Sequence, residues 1–326
     1  MKKAIVLKNY IFVSIYFLTI PIFGTIMISI NYMENTMGYL FLFLSKIATV
    51  IKMIAVKNCG NIASGPRNSI IINLIRSLGC IAVSLVVCLA SGFSPLDSAG
   101  TVISVFAGIS NGIVLFVWIL AANKVSLCTV ETFCMAGAVI PPLIVSPFIF
   151  EGETVSVAQW IGSVLLFGAM YCLSKGGKKS KMSLSAFVLL VVCTIGNSCC
   201  ALTKKLFTSF SESSTEMFQL YTFVFVFITF VLIFPFVPAH KASESPKFTS
   251  KVSFYILIAV IMLYLVEYLS TLSSGYLPSA VYYPLSYVIS MPMTFIADVI
   301  FFKEKITFNN VIGILLVTLS GILINF

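Results

Sequence analysis

The chain has 326 residues, of which 59% are hydrophobic and only 10% charged, with a mean hydropathy of +1.07. A water-soluble domain is about a quarter charged and about half apolar, so lipid has to be the solvent for much of this surface. The formal net charge of +9 comes largely from Lys and Arg in the gaps between apolar runs, where membrane orientation signals belong, and this argues against a nucleic-acid partner.

A bilayer core ~30 Å thick needs about 20 mostly apolar residues per helical span. Hydrocarbon tolerates only helices or closed barrels as spanning elements. Barrel strands would be ~10 residues long and alternate in polarity; these runs are twice that length and do not alternate. The fold class is therefore an all-α integral membrane protein. An apolar run over about 10–32 follows Lys2, Lys3 and Lys8. It lacks the short apolar core and small-residue cleavage signal of a secretory leader. Residues 1–33 are read either as an extra N-terminal transmembrane helix or as an upstream extension with Met33 as the start. Ten spans follow, roughly at 38–56, 68–90, 99–120, 126–149, 157–173, 184–203, 215–236, 253–274, 279–301 and 307–325. They fall into a first five-helix unit (34–174), a Gly- and Lys-rich linker (175–183) and a second five-helix unit (184–326).

Ionisable groups at membrane depth usually face a cavity or a partner. Lys46 and Lys52 lie in the first span and Arg76 in the second. Lys46 is the deepest cation, placed to pair with Glu131 or Glu267 or to bind a carboxylate; Lys52 is near enough to the end to snorkel. Asn111 and Trp118, seven apart in the third span, share a face. Glu131 opens the fourth span, either as a substrate contact or as a carboxylate favoured by the helix N-terminus. Asn197 sits in the sixth with Thr194 and Ser198. In the eighth, Tyr264, Glu267, Tyr268 and Thr271 recur at steps of three and four and share a face. That stripe is either a cavity lining whose carboxylate holds a cationic group or a proton, or a hydrogen-bonded helix seam. In the ninth, Tyr282, Ser286 and Ser290 stack with Tyr283 and Tyr287 beside them. Tyrosines there either hold an aromatic or cationic substrate or anchor the helix at the interface. The candidate substrate-binding residues are thus Glu267, Tyr264, Tyr268, Tyr283, Tyr287, Asn111, Trp118, Glu131, Lys46 and Asn197.

Nine cysteines include no C-x-x-C pair and mostly fall in apolar runs, as small buried hydrophobes do. The single histidine, His240, lies in a polar loop, so neither a metal site nor a cofactor is expected. The loops after the odd-numbered spans carry Lys57, Arg67, Lys124, Lys175, Lys178, Lys179, Lys181, Lys241, Lys247, Lys251, Lys303 and Lys305, against Lys204 and Lys205 on the other side. The positive-inside rule puts the first group in the cytoplasm and the C-terminus outside.

Residues 124–156 align without a gap to 275–307, 151 positions later; Pro141 falls on Pro292, Glu153 on Glu304 and, beyond the turn, Gly162 on Gly313. Each five-span unit therefore ends in a Pro-containing helix, a Glu turn and a helix with an early Gly. Five is an odd number, so the second copy enters the membrane from the opposite side, which is a carrier architecture. The prolines are candidate kinks; the two glutamates read as structural turn residues beside helix starts.

The stretches PPLIVSPFIFEGETVSVAQWIGSVLLFGAMYCLS and MPMTFIADVIFFKEKITFNNVIGILLVTLSGILINF resemble the repeat endings of EamA-type carriers of the drug/metabolite transporter superfamily. Lys57 and Lys204 resemble the Lys that often closes the first helix of each repeat, and Arg76 an Arg early in the second. The resemblance covers about 38–326 and implies ten spans in two inverted five-helix repeats, with transport of a small organic metabolite such as an amino acid, amine or nucleoside-like compound. It also implies cytoplasmic termini, against the loop charges. The extra N-terminal run departs from the family pattern. No GxxxxGK[ST] loop offers ATP use, so a proton gradient or an exchanged metabolite is the expected driving partner. A multi-pass protein of the cell membrane, bacterial cytoplasmic, and a homodimer are further expectations. A membrane enzyme, a channel and a lipid scrambler are the alternatives.

Overall fold

The computed structural model describes residues 33–59, 66–150, 152, 154–175, 183–237, 249–303 and 307–324. The N-terminal run, most of the basic linker, Glu153, Glu304, His240, Lys241, Lys247 and Lys305 lie outside the described residues. The described residues form ten α-helices and no strand: α1 (Met33–Cys59), α2 (Pro66–Ser91), α3 (Ser98–Ala122), α4 (Leu127–Ile149), α5 (Val157–Lys175), α6 (Leu184–Phe210), α7 (Thr215–Ile233), α8 (Ser250–Tyr276), α9 (Ser279–Phe301) and α10 (Phe308–Ile324). Among the described residues, eight helices are long and apolar enough to cross a membrane, and α5 and α10 contribute shorter apolar stretches.

Polar residues set the helix starts. The side chains of Asp97, Ser126, Ser183, Ser214 and Thr249 each accept from an amide in the first turn of the helix that follows, satisfying donors that have no intrahelical acceptor. Ahead of α5, the Ser156 amide donates to Gln159 Oε1 and the Gln159 amide donates to Ser156 Oγ. The same reciprocal box joins Thr307 and Asn310 ahead of α10. Pro141 and Pro292 both sit inside uninterrupted helices.

The molecule exposes large apolar side chains and encloses many small polar ones. Phe148, Leu184 and Leu89 are 86%, 79% and 68% exposed, while Ser45, Ser84, Ser104, Ser274 and Ser290 are completely buried. Water would drive the reverse; lipid permits it, because helices in lipid associate through close contact and hydrogen bonds rather than through burial of apolar area. Helices pair in a regular way: α1 with α8, α3 with α6, α4 with α6, α1 with α9, α2 with α7 and α8, α3 with α7, α4 with α9, and α5 with α10. Glycine allows the tightest crossing. A Cβ on Gly137 in α4 would lie 1.8 Å from the Thr194 carbonyl oxygen of α6, so no larger residue fits unless the helices part. At the α5–α10 crossing, Ser320 Oγ donates to the Gly162 carbonyl at 2.7 Å.

One helix end differs from its expected place. The apolar pattern ends the sixth span before Lys204 and leaves Lys204 and Lys205 as loop cations. Instead α6 runs on to Phe210 and carries both lysines inward. Lys205 Nζ donates to the Ser274 and Leu277 carbonyls at 3.2 and 3.1 Å, at the C-terminal end of α8, where a cation suits the unpaired carbonyls. Removing these two from the loop tally makes the basic residues of the loops one-sided. Lys57, also assigned to a loop, lies in the last turn of α1, 3.8 Å from Asp298 of α9 and over the Phe302 ring.

Candidate functional site

A cavity of about 110 Å³ opens among seven helices, α1 to α4 from the first half and α6, α8 and α9 from the second. Helical periodicity explains how each helix presents its share. From α1 come Lys46, Thr49, Met53 and Val56, spaced three or four apart, with Lys52 beside them. From α3 come Asn111, Val114, Leu115 and Trp118, and from α6 Asn197, Cys200, Ala201 and Lys204, each a step of three or four along one face. Arg76 of α2, Glu131 of α4, Glu267 and Ser270 of α8, and Tyr282, Tyr283 and Ser286 of α9 complete the polar wall.

Two carboxylates and four cations share this space. Glu267 Oε2 lies 2.8 Å from Lys204 Nζ, which also donates to Ser270 Oγ at 2.8 Å. Tyr282 Oη donates to the Ser270 carbonyl at 3.1 Å. The pair therefore binds α6 to α8, with α9 against the same turn. Glu131 is held differently: it accepts from Ser290 Oγ at 3.3 Å and from the Trp118 indole, and among the described residues no cation makes an ion pair with it. Lys46 is 6% exposed, yet no hydrogen bond or ion pair among the described residues reaches its ammonium. Arg76 is 2% exposed; its Nη1 donates to Asn73 Oδ1 at 2.8 Å, its buried Nε has no acceptor among the described residues, and Asn73 Nδ2 in turn donates to the Leu115 carbonyl at 3.2 Å. Asn197 Nδ2 donates to the Cys134 carbonyl at 2.6 Å, fixing the cavity wall where α6 meets α4.

Seven of the ten candidate residues line the cavity: Lys46, Asn111, Trp118, Glu131, Asn197, Glu267 and Tyr283. Three do not. Tyr264 and Tyr268 stack on each other at 5.7 Å on the side of α8 that meets α2 and α7, and Tyr268 Oη donates to Glu216 Oε1 at 2.6 Å. The stripe on α8 is thus two faces rather than one: Glu267 and Ser270 turn to the cavity, the tyrosines to α7. A helix surrounded by others buries more than one side, which a spacing rule for a single face does not anticipate. Tyr287 is fully buried among Met135, Val139, Leu166, Met291 and Val317, in the apolar cluster that joins α9 to α4, α5 and α10.

Lys204 is the residue that sequence reasoning missed, because charge alone placed it in a loop. Its position seven residues after Asn197, the spacing that also relates Asn111 to Trp118, was the available signal.

No protein family and no curated protein matches the chain. A solved structure described only as the crystal structure of a protein is similar over 89% of this chain and 94% of its own, at 14% identity and a TM-score of 0.65. At that identity the likeness concerns the fold alone, and it extends over both halves of the chain.

Proposed function

We propose that this multi-pass membrane protein is a secondary carrier that moves a small organic metabolite across the bacterial cytoplasmic membrane by alternating access. In this reading α1–α5 and α6–α10 are inverted repeats of the EamA type, the cavity between them is the substrate site, and a proton or an exchanged metabolite drives the cycle. The carrying observation is the composition of the wall. Lys46, Thr49, Met53, Glu131 and Met135 line the cavity, and so do the residues 151 positions later: Asn197, Cys200, Lys204, Tyr282 and Ser286. A site lined by equivalent positions from both halves is what an inverted repeat places at its interface.

Helix contacts support the same exchange of halves. The α1–α8 contact has its counterpart in α6–α3, α1–α9 in α6–α4, and α2–α8 in α7–α3, while α2–α7, α4–α9 and α5–α10 map onto themselves. The capping boxes at Ser156 and Thr307 are also 151 residues apart. The wall repeats in position but not in chemistry, as expected when symmetry provides two mirrored conformations and the residues provide selectivity.

Counterflow tests the reading. Proteoliposomes preloaded with one unlabelled compound, drawn in turn from organic acids, amino acids, amines and nucleosides, should transiently accumulate the labelled form above its equilibrium level for the true substrate. A channel or scrambler only equilibrates. Equilibration without overshoot, or no flux for any class, would remove the carrier.

A further inference from the structure

The charges in the cavity do not balance, and the imbalance names a substrate class. Lys46, Lys52, Arg76 and Lys204 face it from one side of the ledger; Glu131 and Glu267 are the only carboxylates among its lining residues. Lys204 is neutralised by Glu267 at 2.8 Å. Glu131 can neutralise one of the two α1 lysines through space, since both act on it electrostatically. That leaves one lysine and Arg76 uncompensated. Arg76 cannot shed its proton; among the described residues its acceptor is the neutral amide of Asn73, and its Nε has none. Lys46 is more than nine-tenths buried, lines the cavity, and has no ion pair or hydrogen bond among the described residues. A charge taken out of water needs a counter-charge or costs a great deal, and here the described residues that line the cavity supply too few.

Resting on the carrier reading, we propose that the substrate is a small organic dianion, with one anionic group held by the Arg76 guanidinium and the other by the lysines of α1. The planar guanidinium fork fits the two oxygens of a carboxylate or phosphate. Lys46 and Lys52, six residues or about one and two-thirds turns apart on α1, supply point charges for the second group. A dianion brings the cavity to neutrality. A zwitterion leaves the surplus untouched, and an amine enlarges it. Asn111 and Trp118 on the facing helix leave neutral wall for the uncharged middle of the molecule.

The test is a thermal-shift titration of the detergent-purified full chain with succinate and glycerol phosphate as dianions, butyrate as monoanion, alanine as zwitterion and putrescine as dication. Succinate or glycerol phosphate should stabilise the protein with an apparent affinity at least tenfold tighter than the other three; which of the two is preferred tells carboxylate from phosphate. Arg76→Gln and Lys46→Gln should each weaken that binding at least tenfold, and Arg76→Lys less than Arg76→Gln. If Arg76→Gln does not fold, Lys46→Gln and the ranking on the unaltered chain decide. Stabilisation by alanine or putrescine in preference to both dianions, no stabilisation by either dianion, or unchanged dianion binding in Lys46→Gln would overturn the proposal. Counterflow separates this from the carrier reading. Dianion binding without counterflow keeps the site and removes the carrier; counterflow of an amine or amino acid without dianion binding keeps the carrier and removes the dianion.

Discussion

The two carboxylate corners of the cavity are built on opposite principles. Glu267 is clamped, with its oxygen 2.8 Å from Lys204 and Ser270 drawn into the same knot. Glu131 rests on hydroxyl and indole donors, while the nearby Lys46 keeps no direct partner among the described residues. Away from water a direct ion pair satisfies itself and ties helices together, here α6 to α8; charges kept apart stay available to a third party. The first corner reads as architecture and the second as chemistry. Sequence reasoning weighed Glu267 as the group holding a cationic substrate or a proton; in the structure its oxygen lies against a cation from within the chain.

The largest effect should come from breaking the clamp. Lys204→Met leaves Glu267 as a lone buried charge and should destabilise the protein by about 3–5 kcal/mol, read as a large fall in melting temperature in detergent. The double variant Lys204→Met with Glu267→Met should regain much of that loss. If the double variant melts as low as the single, the pair is not the cement described here. Next comes the crossing that positions the two corners. Gly137→Ala puts a methyl against the Thr194 carbonyl, forces α4 and α6 apart and should cost about 1–3 kcal/mol; an unshifted melt would mean the helices are not that close.

Glu131→Gln sharpens the contrast from the other side. It keeps a side chain able to accept from Ser290, so its stability change should stay within about 1 kcal/mol, while counterflow should fall at least tenfold. Equal damage to melting temperature from Glu131→Gln and Lys204→Met would erase the distinction between the corners. The smallest effect belongs to a carboxylate outside the spans. Asp97 accepts from Ser211 Oγ at 2.6 Å, Ser213 Oγ at 2.9 Å and the Gly100 amide at 3.0 Å, and these bonds, Ser211 first, hold its carboxyl below the ordinary carboxylate range. A depressed folded value means stabilisation present at neutral pH and lost as pH falls through that value, beginning below about pH 4. The wild-type melting temperature should drop in that window by more than that of Asp97→Asn; parallel curves would show that Asp97 contributes nothing.

Hydrophobicity and length were enough to specify an all-helical membrane protein and, within a few residues, most helix boundaries, because an apolar run of about 20 residues has few other fates in water or lipid. Helical spacing also brought Asn111, Trp118, Glu131, Lys46, Asn197 and Glu267 to notice, since a polar side chain at membrane depth must find a polar neighbour. Tertiary structure alone decided which neighbour. It drew Lys204 and Lys205 into the interior, where a carboxylate 63 residues further along the chain from Lys204 and the carbonyl end of α8 receive them. It also turned Tyr264, Tyr268 and Tyr287 into helix contacts. Periodicity says which residues share a face; it does not say what stands opposite. Whether a buried charge is satisfied or left waiting depends on atoms from distant parts of the chain, and only their arrangement in space settles it.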